Sequence, residues 1–230
     1  MKPTLYTLLI LFLLAACRQE EIAEEAAGYL LLENVSATAS VTENIGTRAV
    51  EDDLYIGIAN GTDVDLTYQP GQFPQGKLEL APGSYTLKAY NEAYLTPGSN
   101  APRYYTEQTF AIEAEKVSYV TVRVPMVNVG ISLAPLSDEV SALFTDVSLA
   151  FYTTDETAAT SIAPGETAYF DYAEGITFSY SLTATNADNE TFTSPAKTYG
   201  GQEGQEVEPG HCYTVGYTLA TPARLDSRMD

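Results

Sequence analysis

The chain has 230 residues, with 31 acidic and 11 basic side chains and a formal net charge of −20. So acidic a surface repels nucleic acid and anionic headgroups, and we expect neither as a partner. The chain contains 17 tyrosines and no tryptophan. Tyrosine, together with threonine and valine, favours pleated and half-buried strands.

The N-terminus has the pattern of a bacterial lipoprotein signal peptide, predicted to span residues 1–16. One cation, Lys2, precedes an apolar run at 5–14 that is too short to cross a bilayer as a finished helix. Leu14-Ala15-Ala16-Cys17 then matches the lipoprotein-processing box, in which small residues fit the peptidase and the thiol accepts a diacylglyceryl group. We predict lipidation at Cys17 and anchoring by lipid. An ordinary secretory signal with a chance cysteine is the alternative.

Residues 17–27 are predicted to form an acidic tether between the lipid and the fold. The segment Arg18-Gln19-Glu20-Glu21 resembles the export signal of surface lipoproteins in Bacteroidetes-type bacteria. A tether that is merely solvated is the alternative. The expected location is the outer membrane, with the body of the protein exposed at the cell surface.

The remaining chain is predicted to be all-β, since short apolar segments alternate with polar residues and are separated by turn signals. Predicted strands lie at 28–32, 35–41, 54–58, 77–80, 85–89, 104–112 and 120–124, and then at 127–133, 147–151, 168–172, 178–184, 190–193 and 213–219. One short helix is predicted from a cap at Ser137 to Phe144. Residues 220–230 show no pattern, which predicts a disordered tail.

The two halves of this pattern share an order of features. A turn glycine, Gly83 or Gly175, precedes a strand rich in aromatic and aliphatic residues. A closing strand then begins 36 residues later at Tyr119, or 38 residues later at Tyr213. The spacing predicts two tandem Greek-key β-sandwich domains of immunoglobulin or transthyretin type, at 28–125 and 126–219.

Residues that carry chemistry are sparse. His211 is the only histidine and is followed by Cys212. Neighbouring residues of a strand point to opposite faces, so these two do not form a catalytic pair. The acidic segments 63–65 and 186–190 lack the twelve-residue calcium-loop pattern and resemble hairpin turns. We therefore predict no catalytic residue, no metal and no cofactor.

Four tyrosines lie in or near predicted loops: Tyr68, Tyr94, Tyr104 and Tyr105. Exposed tyrosines often contact proteins or sugars. The alternative is that they cover the ends of a β core.

Several motifs together resemble one protein family. They are Leu14-Ala15-Ala16-Cys17, Gly28-Tyr29-Leu30, Thr47-Arg48-Ala49, Leu80-Ala81-Pro82-Gly83-Ser84-Tyr85, Ala168-Tyr169-Phe170 and Pro209-Gly210-His211-Cys212-Tyr213-Thr214-Val215. The chain resembles the fimbrillin-like and domain-of-unknown-function surface lipoproteins of Bacteroidetes-type bacteria. The resemblance implies two tandem β-sandwiches and a role in cell adhesion or pilus assembly.

Three functions stay open at this point. The first is a surface lipoprotein without catalytic activity, acting in cell adhesion or in association with fimbriae, with fimbrial subunits or host or surface glycans as partners. The second is a surface glycan-binding lipoprotein, and the third is a glycosidase. In fimbrillins an arginine-specific protease cuts after the first strand, so Arg48 is a candidate cleavage site in this chain.

Overall fold

The computed structural model describes residues 27–38, 40–41, 53–61, 63–154, 159–220 and 224–229. Within these residues nearly all regular structure is β, which confirms the predicted fold class. The strands of the first half, residues 28–126, are β1 Gly28–Thr38, β2 Ser40–Val41, β3 Tyr55–Ala59, β4 Asp65–Tyr68, β5 Leu78–Leu80, β6 Gly83–Tyr90, β7 Tyr105–Ile112 and β8 Val117–Pro125.

The second half, residues 127–229, is built in the same way. Its strands are β9 Val129–Leu133, β10 Phe144–Thr153, β11 Thr160–Ile162, β12 Thr167–Phe170, β13 Phe178–Asn186, β14 Thr191–Thr193, β15 Lys197–Tyr199, β16 His211–Ala220 and β17 Arg224–Met229. The tandem Greek-key connectivity stays a prediction.

Two sheets form the first half. The order β4-β3-β6-β7 is antiparallel throughout, and the order β5-β1-β8 pairs β1 antiparallel to β5 and parallel to β8. Alternate residues of these strands point inward, and they make one continuous core. Its members include Leu30, Leu54, Ile56, Ile58, Tyr85, Leu87, Val122 and Val124.

Strand β1 occupies the centre of its sheet. Tyr29 pairs with Glu79 on one side and with Val117 on the other. Gly28 begins the strand because the chain passes close to β7 there, and a Cβ at this position would clash with the Glu113 carbonyl oxygen. The N-terminal strand is therefore an integral part of the first core.

The sheets of the second half follow the orders β11-β10-β13-β14, with β15 also on β13, and β12-β9-β16-β17, with β2 also on β16. Their inward residues form a separate core that includes Val129, Ile131, Leu149, Phe151, Phe178, Leu182, Tyr213 and Val215. The domain boundary between 125 and 126 stays a prediction, although each half has a core of its own.

The predicted disordered tail at 220–230 is wrong for most of its length. Arg224–Met229 form β17, which pairs antiparallel to β16 with Val215 opposite Met229. A ladder of main-chain hydrogen bonds needs no apolar alternation, so side-chain pattern alone gave no sign of this strand.

The predicted helix is present but shorter than expected. It spans Asp138–Ser141, and the Ser137 hydroxyl caps it by accepting a hydrogen bond from the Val140 amide. Phe144, its predicted end, begins β10 instead. A 3₁₀ helix, Glu92–Leu95, lies in the long connection between β6 and β7.

Asn128 joins segments from both halves at the point where they meet. Its side chain is 1% exposed. Its Oδ1 accepts a hydrogen bond from the Arg103 amide at 2.9 Å, and its Nδ2 donates to the Ala101 carbonyl at 2.9 Å. The Arg103 guanidinium also forms an ion pair with Asp171 of the second half.

Candidate functional site

The residues predicted to process and anchor the chain lie outside the described residues. They include the signal peptide 1–16, the lipidation site Cys17, most of the tether 17–27, and the candidate cleavage site Arg48. These assignments stay predictions.

A row of tyrosines crosses the outer face of the first half. Tyr55, Tyr90 and Tyr105 occupy neighbouring positions of β3, β6 and β7 because Tyr90 pairs with both of the others. The rings of Tyr55 and Tyr90 stack at 5.3 Å, with 4° between their planes. Tyr94, from the 3₁₀ helix, stacks on Tyr105 at 4.4 Å and 11°. We call these four residues the tyrosine row.

Polar groups border the tyrosine row. The Tyr105 hydroxyl donates a 2.6 Å hydrogen bond to Glu107, whose carboxylate lies 3.6 Å from the Lys88 ammonium. The hydrogen bond to Glu107 raises the pKa of Tyr105 to about 12, because a neighbouring carboxylate opposes formation of the phenolate. Lys88 pairs with Gly57 of β3, and the lack of a glycine side chain leaves space beside Lys88 on this face of the sheet.

The tyrosine row differs from an open aromatic shelf. Its stacked rings cover part of one another's faces, and the Arg103 guanidinium lies 5.6 Å from the centre of the Tyr94 ring. This stacking leaves less free ring face for a sugar than an open aromatic shelf would offer.

The four tyrosines that lie in or near predicted loops separate into two groups. Tyr94 and Tyr105 belong to the tyrosine row. Tyr104 is buried at 1% exposure, and Tyr68 packs edge-on against Phe73 at 5.0 Å. The last two therefore contribute to packing, which was the alternative interpretation.

A second candidate site is a cavity of about 670 Å³ in the second half. We call it the Tyr199 cavity. Its walls come from β13, β15, β16 and the loop before β16. The lining residues are Tyr180, Lys197, Thr198, Tyr199, Gly204, Gln205, Glu206, Glu208, His211 and Tyr213.

Strand register explains why polar side chains reach the Tyr199 cavity. Tyr180 of β13 pairs with Lys197 of β15, and Phe178 pairs with Tyr199. Directly paired residues point to the same face of a sheet, and Phe178 and Tyr180 are buried in the second core. Lys197 and Tyr199 therefore point inward.

The opposite wall of the cavity is held by a set of hydrogen bonds. The Glu208 amide donates to the Tyr213 hydroxyl at 3.0 Å, and that hydroxyl donates to the Glu206 carbonyl at 3.3 Å. His211 Nε2 lies 3.4 Å from Glu208 Oε2. Burial raises the pKa of Tyr213, which disfavours the phenolate further.

His211 and Cys212 point to opposite faces of β16, as strand geometry predicts. His211 lines the Tyr199 cavity, whereas Cys212 packs beside Gly130 and against the first core. A Cβ on Gly130 would lie 2.6 Å from Cys212 Sγ, so glycine is needed there. Burial raises the pKa of Cys212, which disfavours the reactive thiolate.

The sequence pattern does not predict the Tyr199 cavity, because it predicts no strand between 193 and 213, where β15 lies. The available signal was Lys197 and Tyr199 alternating with Thr198. Among the residues that the structure describes, no group of three His, Cys, Asp or Glu side chains is arranged to hold a metal ion. The same residues include no helix with the length and apolarity needed to span a membrane.

A family model described as a domain of unknown function, DUF4493, matches residues 26–227. The chain belongs to this family. Membership of DUF4493 confirms the predicted resemblance to domain-of-unknown-function proteins. No curated protein matches the sequence.

Solved structures with a similar chain course include proteins from Bacteroides species and from Porphyromonas gingivalis. A candidate cell adhesion protein from Bacteroides uniformis is 11% identical, with a TM-score of 0.48, over 90% of this chain and 98% of its own. One from Bacteroides eggerthii is 10% identical, with a TM-score of 0.45, over 90% and 95%. The fimbrial anchor protein Mfa2 from Porphyromonas gingivalis is 10% identical, with a TM-score of 0.38, over 89% and 98%.

Proposed function

We propose that this DUF4493 protein is a non-catalytic lipoprotein of the cell surface that acts in cell adhesion or associates with fimbriae. Lipidation at Cys17 would hold it on the outer membrane, and its acidic surface would keep the body of the protein in water. We infer a role in association with fimbriae from the position of strand β1, and not from the structural likeness to the fimbrial anchor protein Mfa2.

The position of β1 is the observation that carries this proposal. The strand pairs with β5 and β8, and Leu30 is 0% exposed. Loss of β1 would leave unpaired main-chain groups along both neighbours and an apolar groove where Leu30 had been. A strand of matching pattern from another subunit is the natural occupant of such a groove.

Arg48 lies between β2 and β3, and proteolytic cleavage after it would start this assembly. Cleavage there would separate β1 and β2 from the rest of the chain, and the remaining contact with the lipid anchor would be these two strands, held by their pairing with β5, β8 and β16. An uncleaved chain would instead act as a lipid-anchored accessory or base protein. Both forms fit association with fimbriae.

Surface filaments purified from native cells test the proposal. We expect the protein to co-purify with filaments, and N-terminal sequencing to show a start at Ala49 if strand exchange operates. Arg48→Lys is the matched variant, since it keeps the charge and removes the site of an arginine-specific protease. If every chain found in the filaments begins at lipidated Cys17, strand exchange is contradicted. Absence from filaments, with unchanged adherence of a deletion strain, would contradict the proposed function.

A synthetic peptide tests the groove directly. A chain that begins at Ala49 should bind a peptide of residues 28–38, because the peptide restores both ladders and returns Leu30 to the core. The control peptide carries Leu30→Asp and should bind at least 100-fold more weakly, since it buries an unpaired charge. Equal binding of the two peptides would contradict an apolar groove.

Surface glycan binding is the second candidate function, and the Tyr199 cavity favours it. The cavity combines aromatic rings with carboxylate, ammonium and imidazole groups. Ligand sites for small molecules share this mixture of apolar walls and a few placed polar groups.

A further inference from the structure

We propose that the Tyr199 cavity binds a neutral saccharide of two or three units. The inference rests on the second candidate function, surface glycan binding, and adds the site and the charge class of its ligand. It is independent of strand exchange by β1, which lies in the other half of the chain.

Inward polar groups are the first sign of a binding site. Lys197 lies at a core-facing position of β15, opposite buried Tyr180. His211 precedes Tyr213 and Val215 on the same face of β16, and exposure falls from 30% for the His211 side chain to 7% and 0% for these two residues. The side chains of Lys197 and His211 both line the cavity, so its walls carry polar groups at strand positions whose neighbours on the same face are buried.

The size of the cavity suits a small ligand. Its volume of about 670 Å³ falls within the range of about 300–1,000 Å³ that is typical of ligand sites. This is room for a short saccharide rather than for a folded segment of another protein.

Charge on the walls decides the class of ligand. Lys197 lines the cavity from β15, and Glu206 and Glu208 line it from the loop before β16, where Glu208 pairs with His211. An anionic ligand meets two carboxylates, and a cationic ligand meets an ammonium group. A hydroxyl both donates and accepts hydrogen bonds, so a neutral polyol can contact the carboxylates and the ammonium group alike.

Aromatic rings supply the apolar part of the site. The rings of Tyr199 and Tyr213 lie 4.9 Å apart at 51°, and they enclose a corner of the cavity. Tyr199 is braced by Phe178 at 5.5 Å, which fixes its orientation before any ligand arrives. The C–H faces of a pyranose ring pack well against such surfaces, while its hydroxyls reach the polar walls. A site fixed in advance loses little conformational entropy on binding.

Calorimetric titration of the purified full mature chain tests the inference. The probes are neutral trisaccharides of glucose, mannose, xylose and galactose, with trigalacturonic acid and the glucosamine trimer as anionic and cationic comparators. We expect at least one neutral trisaccharide to bind, and Tyr199→Ala to weaken its affinity about tenfold, which is the worth of one aromatic contact. Tyr119→Ala is the matched control, because Tyr119 is 64% exposed in the first half and should leave affinity unchanged.

A second variant guards against loss of folding. Lys197→Met keeps the apolar stem and removes the ammonium, and it should also weaken binding about tenfold while the melting temperature stays the same. Binding of the acidic or basic trimer alone would overturn the neutral class and leave glycan binding standing. No binding of any probe would overturn both. Binding unaffected by either cavity variant would overturn the site.

Discussion

Replacement of Leu30 by alanine tests whether β1 is part of the first core. Leu30 is 0% exposed and packs with the inward residues of both first-half sheets. Truncation of a buried leucine to alanine costs about 2–5 kcal/mol, because transfer free energy is lost and a cavity is left. We expect about 3 kcal/mol, since β5 and β8 flank the site and limit its collapse.

The expected thermal effect follows from the size of the chain. For 150–250 residues, 1 kcal/mol corresponds to about 2–4 °C in Tm, so Leu30→Ala should lower Tm by about 6–12 °C. Differential scanning calorimetry of the mature chain measures this shift. If the halves unfold separately, the shift should be confined to one of two transitions.

Leu31→Ala is the matched control. Leu31 has the same side chain at the next position of β1, but it points to the opposite face and pairs with Tyr119, which is 64% exposed. Its truncation should cost less than about 1 kcal/mol, as expected near a surface. Equal effects of the two variants would refute the placement of β1, and a larger effect at Leu31 would show that its register is shifted by one residue.

Four further predictions concern single residues. Asn128→Ala should cost about 2–4 kcal/mol in urea unfolding, because a buried donor and a buried acceptor lose their partner; a loss below about 1 kcal/mol would contradict this. Glu107→Gln should lower the pKa of Tyr105 from about 12 toward 10, because the charge that opposes the phenolate is removed; carbon-13 NMR of labelled tyrosine measures it, and an unchanged pKa would exclude this cause. Cys17→Ala should release the protein from the membrane in detergent phase separation, and a variant still wholly in the membrane pellet would refute lipidation. Cys212 should alkylate far more slowly in the folded than in the unfolded chain at pH 8, since burial raises its pKa; equal rates would show an accessible thiolate.

Period-two alternation predicted most strands because it is a local property. The predicted strand 54–58 corresponds to β3, in which Ile56 and Ile58 are 4% and 1% exposed. The helix cap at Ser137 was also visible, since capping involves residues only three apart. Where one face of an element is buried and the other is wet, the sequence carries the signal directly.

Strand partners were beyond the reach of the sequence. The parallel pairing of β1 with β8 joins Tyr29 to Val117, and β2 joins Ser40 to His211 of the other half. Such pairings depend on main-chain hydrogen bonds between distant segments, and side-chain alternation does not name the partner. The same reason hid β17.

The sequence indicated two of the four residues of the tyrosine row as candidates for contact with a partner. Tyr94 and Tyr105 lie near predicted loops, whereas Tyr55 lies within the predicted strand 54–58 and Tyr90 lies directly after the predicted strand 85–89. Their assembly into one stack depends on the register of three strands, which sets each tyrosine beside the next. A surface built across strands is therefore visible only when the pairings are known.

The Tyr199 cavity shows where a departure from pattern carries functional information. A sandwich closes most stably when every inward position is apolar, as Phe178 and Val215 are. Lys197 and His211 break that rule on facing strands, at the same opening of the second core. A single polar residue at such a position can be hydrated by water at the surface. Two that line the same cavity reduce the apolar packing around one polar space. Real proteins break these rules mostly at functional sites. The convergence of two such residues, more than the volume of the cavity, supports the proposal that this opening binds a ligand.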